Sequence, residues 1–220
     1  MSFLNYLFLD IDGVLNSRYY MTKNTKMLQA NRGNPLYMLD PEACSIFQEA
    51  IDQVPGGVEL VISSTWRFNH PPAELQKLFA IRGIHTPILG YTPEILTPHD
   101  LKDRRNELQR GLEIQWWLRT YCHKLGQPGI VWDDISVAIL DDDSDMGDLL
   151  PLLTQTRFQT GLTEFEVPFF LQKYDKTLRE SRAAGLNGEI LWEHDALAMQ
   201  VNSHRPGWHG LSGSATEMPR

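Results

Sequence analysis

The chain has 220 residues, 42% hydrophobic and 22% charged, with 28 acidic against 20 basic residues and a formal net charge of −8. That length suits one domain with a core large enough to fold without disulfide or metal staples, and no apolar run approaches the roughly 20 residues of a membrane span. Cys44 and Cys122 form no CxxC pair; with an N-terminus lacking a basic start and a cleavage site, this predicts a cytoplasmic protein rather than a disulfide scaffold.

In chain order, Phe3 to Leu9 is a short apolar run ended by Asp-Ile-Asp-Gly and reads as a buried strand. Residues 16–40 are polar and mixed, with a turn signal at 31–35. Asp40-Pro41 is an N-cap followed by proline in the first helical turn, predicting a helix to about Val54 with Ala43, Phe47, Ala50, Ile51 and Val54 on one face. Val58 to Ile62 is a second buried strand, ended by Ser63-Ser64-Thr65-Trp66-Arg67. A helix over 72–82 and a third strand over Pro87 to Tyr91 follow. The segment 92–106 reads as loop or short helix. Arg110 to Leu125 has strong helical spacing. Ser136 to Leu140 is a fourth strand, ended by an aspartate run, and Thr156 to Gln159 is the expected fifth. A long helix is predicted from Thr163 to Ala183.

Strands alternating with helices predict an α/β domain with a mostly parallel sheet. In such sheets ligands bind beyond the carboxyl ends of the strands. Three strands here end in polar groups: Asp10 and Asp12, Ser63 and Ser64, and Asp141 and Asp142. A strand order of 3-2-1-4-5 would set the two aspartate clusters side by side with Ser63 next to them.

The acidity is concentrated there. Asp141, Asp142, Asp143, Asp145 and Asp148 fall within eight residues, and Asp10 and Asp12 flank Ile11. Setting these seven aside leaves 21 acidic residues against 20 basic ones, so the rest of the chain is nearly neutral. Clustered carboxylates repel one another unless a cation sits among them, and hard oxygen ligands suit Mg²⁺. A carboxylate facing a phosphate can attack it and form an aspartyl-phosphate. A second carboxylate two residues on can protonate the leaving oxygen and then activate water. Ser63 offers a hydroxyl to the phosphoryl group, and Arg110, at the expected helix start, offers a cation and helix-end N–H groups. Trp66, Trp116 and Trp117 are expected to pack in the interior, as are both cysteines; for Trp66 the alternative, shared with Arg67, is shaping the site or touching substrate. The seven histidines show no metal-binding pair, and there is no GxxxxGK stretch.

Asp10-Ile-Asp-Gly-Val-Leu-Asn16 after an apolar strand resembles motif I of the haloacid dehalogenase (HAD) superfamily. Val61-Ile-Ser-Ser-Thr-Trp-Arg67 resembles motif II, and Leu140-Asp-Asp-Asp-Ser-Asp-Met146 motif IV. Together with Arg110-Gly-x-Glu-Ile-x-x-Trp-Leu118 and Thr160-Gly-Leu-Thr163, the set is similar to the HAD domains of Swiss-army-knife RNA-repair proteins, over roughly residues 3–165. The resemblance implies a Rossmann-like HAD fold without a full cap domain. It implies Asp10 as nucleophile and Asp12 as general acid/base. For phosphate it implies Ser63, with Ser64 as the alternative, and Arg110, with Lys102 or Arg105 as alternatives. For Mg²⁺ it implies Asp10, Asp12, Asp142 and Asp141, with Asp145 behind them.

The expected activity is thus that of a Mg²⁺-dependent phosphatase or phosphotransferase. Its expected partners are a phosphorylated small molecule or a polynucleotide end, and not a membrane; the sequence assigns no oligomeric state. A HAD-like module that binds phosphate or a partner protein without turnover is the alternative. Residues 1–183 are expected to form the catalytic domain and 184–220 a C-terminal extension, packed or partly flexible. A local basic patch of Arg67, Arg104, Arg105 and Arg110 is the expected place for a phosphate-bearing polymer.

Overall fold

A computed structural model of the chain describes residues 4–96, 105–124, 135–175 and 200–201. Its centre is a five-stranded parallel sheet of β1 (Leu4–Leu9), β2 (Glu59–Ile62), β3 (Ile88–Tyr91), β5 (Ile135–Asp141) and β6 (Leu153–Gln155). The order is β3-β2-β1-β5-β6, which is the expected 3-2-1-4-5 arrangement. In register, Leu9 pairs with Ile62 on one side and with Leu140 on the other. The residues after these three positions therefore emerge together at one edge. The ladders continue a step further, with Ser63 N on Leu9 O at 2.8 Å and Asp10 N on Leu140 O at 2.9 Å. A two-residue antiparallel pair, β4 (Ile95–Leu96) with β7 (Gln200–Val201), stands apart from this sheet.

Alternation along β1 divides the core. Leu7 and Leu9 face a cluster built with α3 (Pro41–Asp52), α4 (Pro72–Ile81) and α6 (Val167–Gln172). Tyr6 and Phe8 face the opposite cluster, with Ile114, Trp117 and Leu118 of α5 (Arg105–Lys124) and with Met146 and Leu149. Both faces of the sheet are covered, so the strands read as continuous apolar runs rather than alternating ones. Each fully buried leucine, isoleucine or phenylalanine contributes about 1.5–3 kcal/mol through removal of its surface from water. Trp116 is half-buried rather than packed inside, and Cys44 is buried as expected.

The third helix starts as the sequence predicts: the Asp40 carboxylate accepts from Glu42 N at 3.0 Å, and Pro41 occupies the first turn. Several segments depart from the sequence reading. Residues 16–40 hold two six-residue helices, α1 (Arg18–Lys23) and α2 (Thr25–Ala30), and a 3₁₀ turn at Pro35–Met38, all too short for a periodic signal. Helix α5 begins at Arg105, five residues before the expected start, because its first turn is polar and carries no apolar stripe. The fifth strand is Leu153–Gln155, not Thr156 to Gln159, which instead form a turn. The apolar run Leu149–Leu153, interrupted by Pro151, hides the boundary between a 3₁₀ helix and this strand. The predicted helix over 163–183 starts only at Val167, and α6 spans six residues. Its expected end at Ala183 and the domain boundary at 184 lie outside the described residues. Among the described residues no helix is long and apolar enough to cross a membrane.

Candidate active site

The aspartates at the ends of β1 and β5 meet at the centre of the sheet edge. One carboxylate oxygen each from Asp10, Asp141 and Asp142 lies within 4.8 Å of the others. Asp10 and Asp141 are buried, at 5% and 1% exposure, whereas Asp142 is half-buried. Burial raises the Asp10 and Asp141 carboxyls well above the usual range; their mutual repulsion raises Asp141 further, while Arg110 opposes the shift in both. Asp142 is also raised, first by burial and then by Asp143 and Asp12.

This cluster fits a hard divalent cation on an observation of its own. Asp141 Oδ2 is buried and accepts no hydrogen bond among the described residues, with Arg110 Nε at 3.6 Å as its ion-pair partner. Three oxygen donors, one of them not hydrogen-bonded, are the ligand chemistry Mg²⁺ takes while keeping several waters. Asp10, Asp141 and Asp142 would hold the ion through their carboxylates.

The loop that carries Asp10 and Asp12 is built by its own sequence. Gly13 adopts φ 74°, and a Cβ there would lie 2.3 Å from Asp142 Cγ. Only glycine lets the loop approach the aspartate run so closely. Asn16 closes the turn: its Oδ1 accepts from Gly13 N at 3.0 Å and its Nδ2 donates to Asp12 Oδ1 at 2.7 Å. The stretch after β6 clamps the loop from outside. Thr156 Oγ1 donates to Gly13 O at 2.7 Å, and Leu162 N to Val14 O at 2.9 Å. A Cβ at Gly161 would sit 3.0 Å from Val14 O, which explains the glycine of Thr160-Gly-Leu-Thr163.

Asp12 is oriented by Trp66, which both packs in the interior and shapes the site. Trp66 is buried, but its indole Nε1 donates to both Asp12 oxygens at 3.1 and 3.2 Å. Nothing in the sequence pattern distinguishes such a tryptophan from a core one.

The two serines after β2 part company. The Ser64 side chain lies beside the Asp10 carboxyl and favours its ionised form. Its hydroxyl also receives Trp66 N at 3.4 Å. The Ser63 hydroxyl turns to Thr92 Oγ1 at 3.5 Å instead. Ser64 is thus the hydroxyl beside the candidate nucleophile.

Arg110 lies in the second turn of α5, not at the helix start. The N–H groups expected to face a phosphate are taken: Arg110 N donates to Asp145 Oδ2 and Gly111 N to Asp145 O, both at 3.1 Å. The side chain nevertheless reaches the site. Its Nη1 donates to Ser63 O and its Nε faces Asp141. Burial alone would lower the Arg110 pKa, but Asp141, Asp10, Glu113 and Asp145 together raise it. Gly111 permits this approach, since a Cβ would stand 2.2 Å from Met146 O. The Lys102 alternative lies outside the described residues, as do the Arg105 side chain and Arg104.

Arg67 is not part of a surface patch. It is buried, donating to Ser64 O at 2.9 Å and to Glu113 Oε2 at 2.8 Å. Two arginines thus grip the carbonyls of Ser63 and Ser64, and Glu113, one turn beyond Arg110, balances Arg67. Sequence reasoning named Glu113 only as a spacing residue.

With this geometry in place, the chain matches at residues 6–167 the family model described as the HAD domain in Swiss Army Knife RNA repair proteins. No curated protein and no solved structure matches it.

Proposed function

The chain belongs to that family of HAD domains, a phosphohydrolase family in general, and from this premise we propose that it is a Mg²⁺-dependent phosphatase or phosphotransferase working through an aspartyl-phosphate on Asp10. The observation that carries the reading is the buried Asp10, within 4.8 Å of Asp141 and Asp142, with Ser64 and the Arg110 charge beside its carboxyl.

In this reading Asp10 attacks the phosphorus of a phosphate ester. A bond forms from its carboxylate oxygen to phosphorus while the bond to the ester oxygen breaks. Asp12, held by Trp66 and Asn16, gives the leaving oxygen a proton. It then takes a proton from a water, or from an acceptor alcohol, that attacks the phosphorus, and the Asp10–phosphorus bond breaks to release the product. The Ser64 hydroxyl and the Arg110 cation stabilise the oxygens of the transferring group. Mg²⁺, when bound by Asp10, Asp141 and Asp142, neutralises part of the phosphoryl charge. The Asp12 backbone carbonyl is the further ligand that the family pattern supplies. The substrate is a phosphorylated small molecule or a polynucleotide end, and the family description favours the latter.

The test is hydrolysis of an aryl phosphate with and without Mg²⁺, comparing wild type with Asp10→Asn and Asp12→Asn. Expected are Mg²⁺-dependent turnover and its loss in both variants. Metal-independent activity, or full activity in Asp10→Asn, would sink the mechanism. Phosphorylated oligonucleotides, mononucleotides and sugar phosphates then separate the substrate classes.

A further inference from the structure

Away from the carboxylates the local charge reverses. From Gly13 to Leu39 the chain has four basic residues and no acidic one, and from Leu149 to Thr163 it has one basic residue and no acidic one. The fold lays parts of these stretches against each other. Arg18 N donates to Phe158 O at 2.9 Å and Tyr19 N to Gln159 O at 3.0 Å. Both stretches leave the carboxyl ends of strands, β1 and β6, on the edge that carries Asp10. Thr156 ties the second directly to the Asp10 loop through Gly13 O.

Two aromatic rings project from this seam. Tyr19 is 64% exposed and Phe158 51%. The Lys23 ammonium lies 5.6 Å from the Tyr19 ring centroid, and Arg18 and Arg157, next to Tyr19 and Phe158 in the chain, are exposed like Lys23. Large apolar rings in water, set among positive charges with no acid in the same stretches, suit one kind of occupant. The bases of a single-stranded nucleic acid stack on such rings, and its phosphates meet the cations. An acidic protein surface would use the charges but would not need the rings.

We propose that the seam formed by Arg18, Tyr19, Lys23, Arg157 and Phe158 is a binding track for single-stranded nucleic acid, leading its end to the Asp10 site. The delivery of a terminal phosphate rests on the phosphohydrolase reading; the binding of the strand does not.

The experiment therefore uses a probe with no phosphate to hydrolyse. A short fluorescent single-stranded RNA with hydroxyl groups at both ends is titrated with the full chain, and anisotropy is followed at several salt concentrations. Binding is expected, with a log–log salt slope of about −0.7 per phosphate contacted. Tyr19→Ala and Phe158→Ala are each expected to weaken it by about fivefold or more, from the usual strength of base–aromatic stacking. Tyr19→Phe keeps the ring and retains the affinity, while Lys23→Glu with Arg157→Glu flattens the salt slope. The proposal is overturned by absence of binding, or by affinity that both alanine variants leave intact. It is equally overturned if Tyr19→Phe loses the affinity, or if polyglutamate displaces the RNA at equal charge, which would mark an acidic-protein surface. Phosphatase activity enters none of these outcomes.

Discussion

Trp66 donates one indole N–H to both oxygens of Asp12, across 54 residues of sequence. The bond makes the orientation of the candidate general acid/base depend on a side chain from a different strand end. Hydrogen bonds to charged groups contribute about 1.5–3 kcal/mol. Trp66→Phe, which keeps an aromatic ring but no donor, is expected to lower kcat on an aryl phosphate by about tenfold or more on that basis, with KM little changed. A ratio of kcat to KM equal to that of the wild type would show that Asp12 holds its place without the indole.

The Arg67–Glu113 pair is almost fully buried, with side chains 6% and 2% exposed. Burial raises the Glu113 pKa, and Arg67 and Arg110 counter it. Removing one partner of such a pair leaves a buried charge alone, at a cost of about 3–5 kcal/mol, whereas an apolar pair of similar volume is often tolerated. Glu113→Ala is expected to be far less stable than wild type in urea unfolding, and Arg67→Met with Glu113→Leu to recover most of the loss. A double variant no more stable than the single one would argue that the hydrogen bond to Ser64 O, not the ion pair, is what Arg67 supplies.

Helix α5 docks on the aspartate run at Gly111, where a Cβ would meet Met146 O at 2.2 Å. Gly111→Ala gains helix propensity in isolation, yet the backbone clash is expected to outweigh it, at about 1–3 kcal/mol for overpacking. Because Met146 adjoins Asp145, which receives Arg110 N, Mg²⁺ binding is expected to weaken as well. Calorimetric Mg²⁺ titration of the variant checks this; unchanged affinity would uncouple the helix from the cluster.

Without metal, Asp10 and Asp141 are both raised above the usual carboxylate range, chiefly by burial. The folded state then holds protons that the unfolded chain releases at about pH 4. Stability of the metal-free protein therefore falls as pH rises from about 4 toward neutrality. Bound Mg²⁺ favours the ionised carboxylates and stabilises the folded state by mass action. Thermal unfolding with chelator and with Mg²⁺ should show a gap that widens from pH 5 to pH 7.5; a gap independent of pH would place the ion away from these carboxylates.

What the sequence made legible was the convergence of groups. Apolar runs ending in Asp10, Ser63 and Asp141 mark strand ends, and parallel order brings strand ends together whatever the loops do. The finer choices turned on one-residue or one-turn differences that periodicity does not carry. Ser63 and Ser64 are adjacent, and which of them faces Asp10 depends on the direction of a single side chain at the strand end. Arg110 was identified from its charge and its neighbours, but the helix start lay in a polar stretch without an apolar stripe. The roles of Trp66, Arg67 and Glu113 come from hydrogen bonds between distant elements, so the sequence read Trp66 as interior packing, Arg67 as part of a basic patch and Glu113 only as a letter in a spacing.

The clamp on the Asp10 loop carries a consequence for the order in which the molecule is made. The first motif leaves the ribosome at residue 10, but the hydroxyl of Thr156 and the amide of Leu162 that fasten its loop emerge some 150 residues later. Domains form as units while synthesis proceeds from the N-terminus, so a nascent chain stopped ahead of Thr156 would already contain Asp10, Ser64, Arg110 and Asp141 without the fastening that finishes the loop. Completion of the proposed site is in this sense a late event in the life of each chain, withheld from partial translation products that already carry every carboxylate of the cluster.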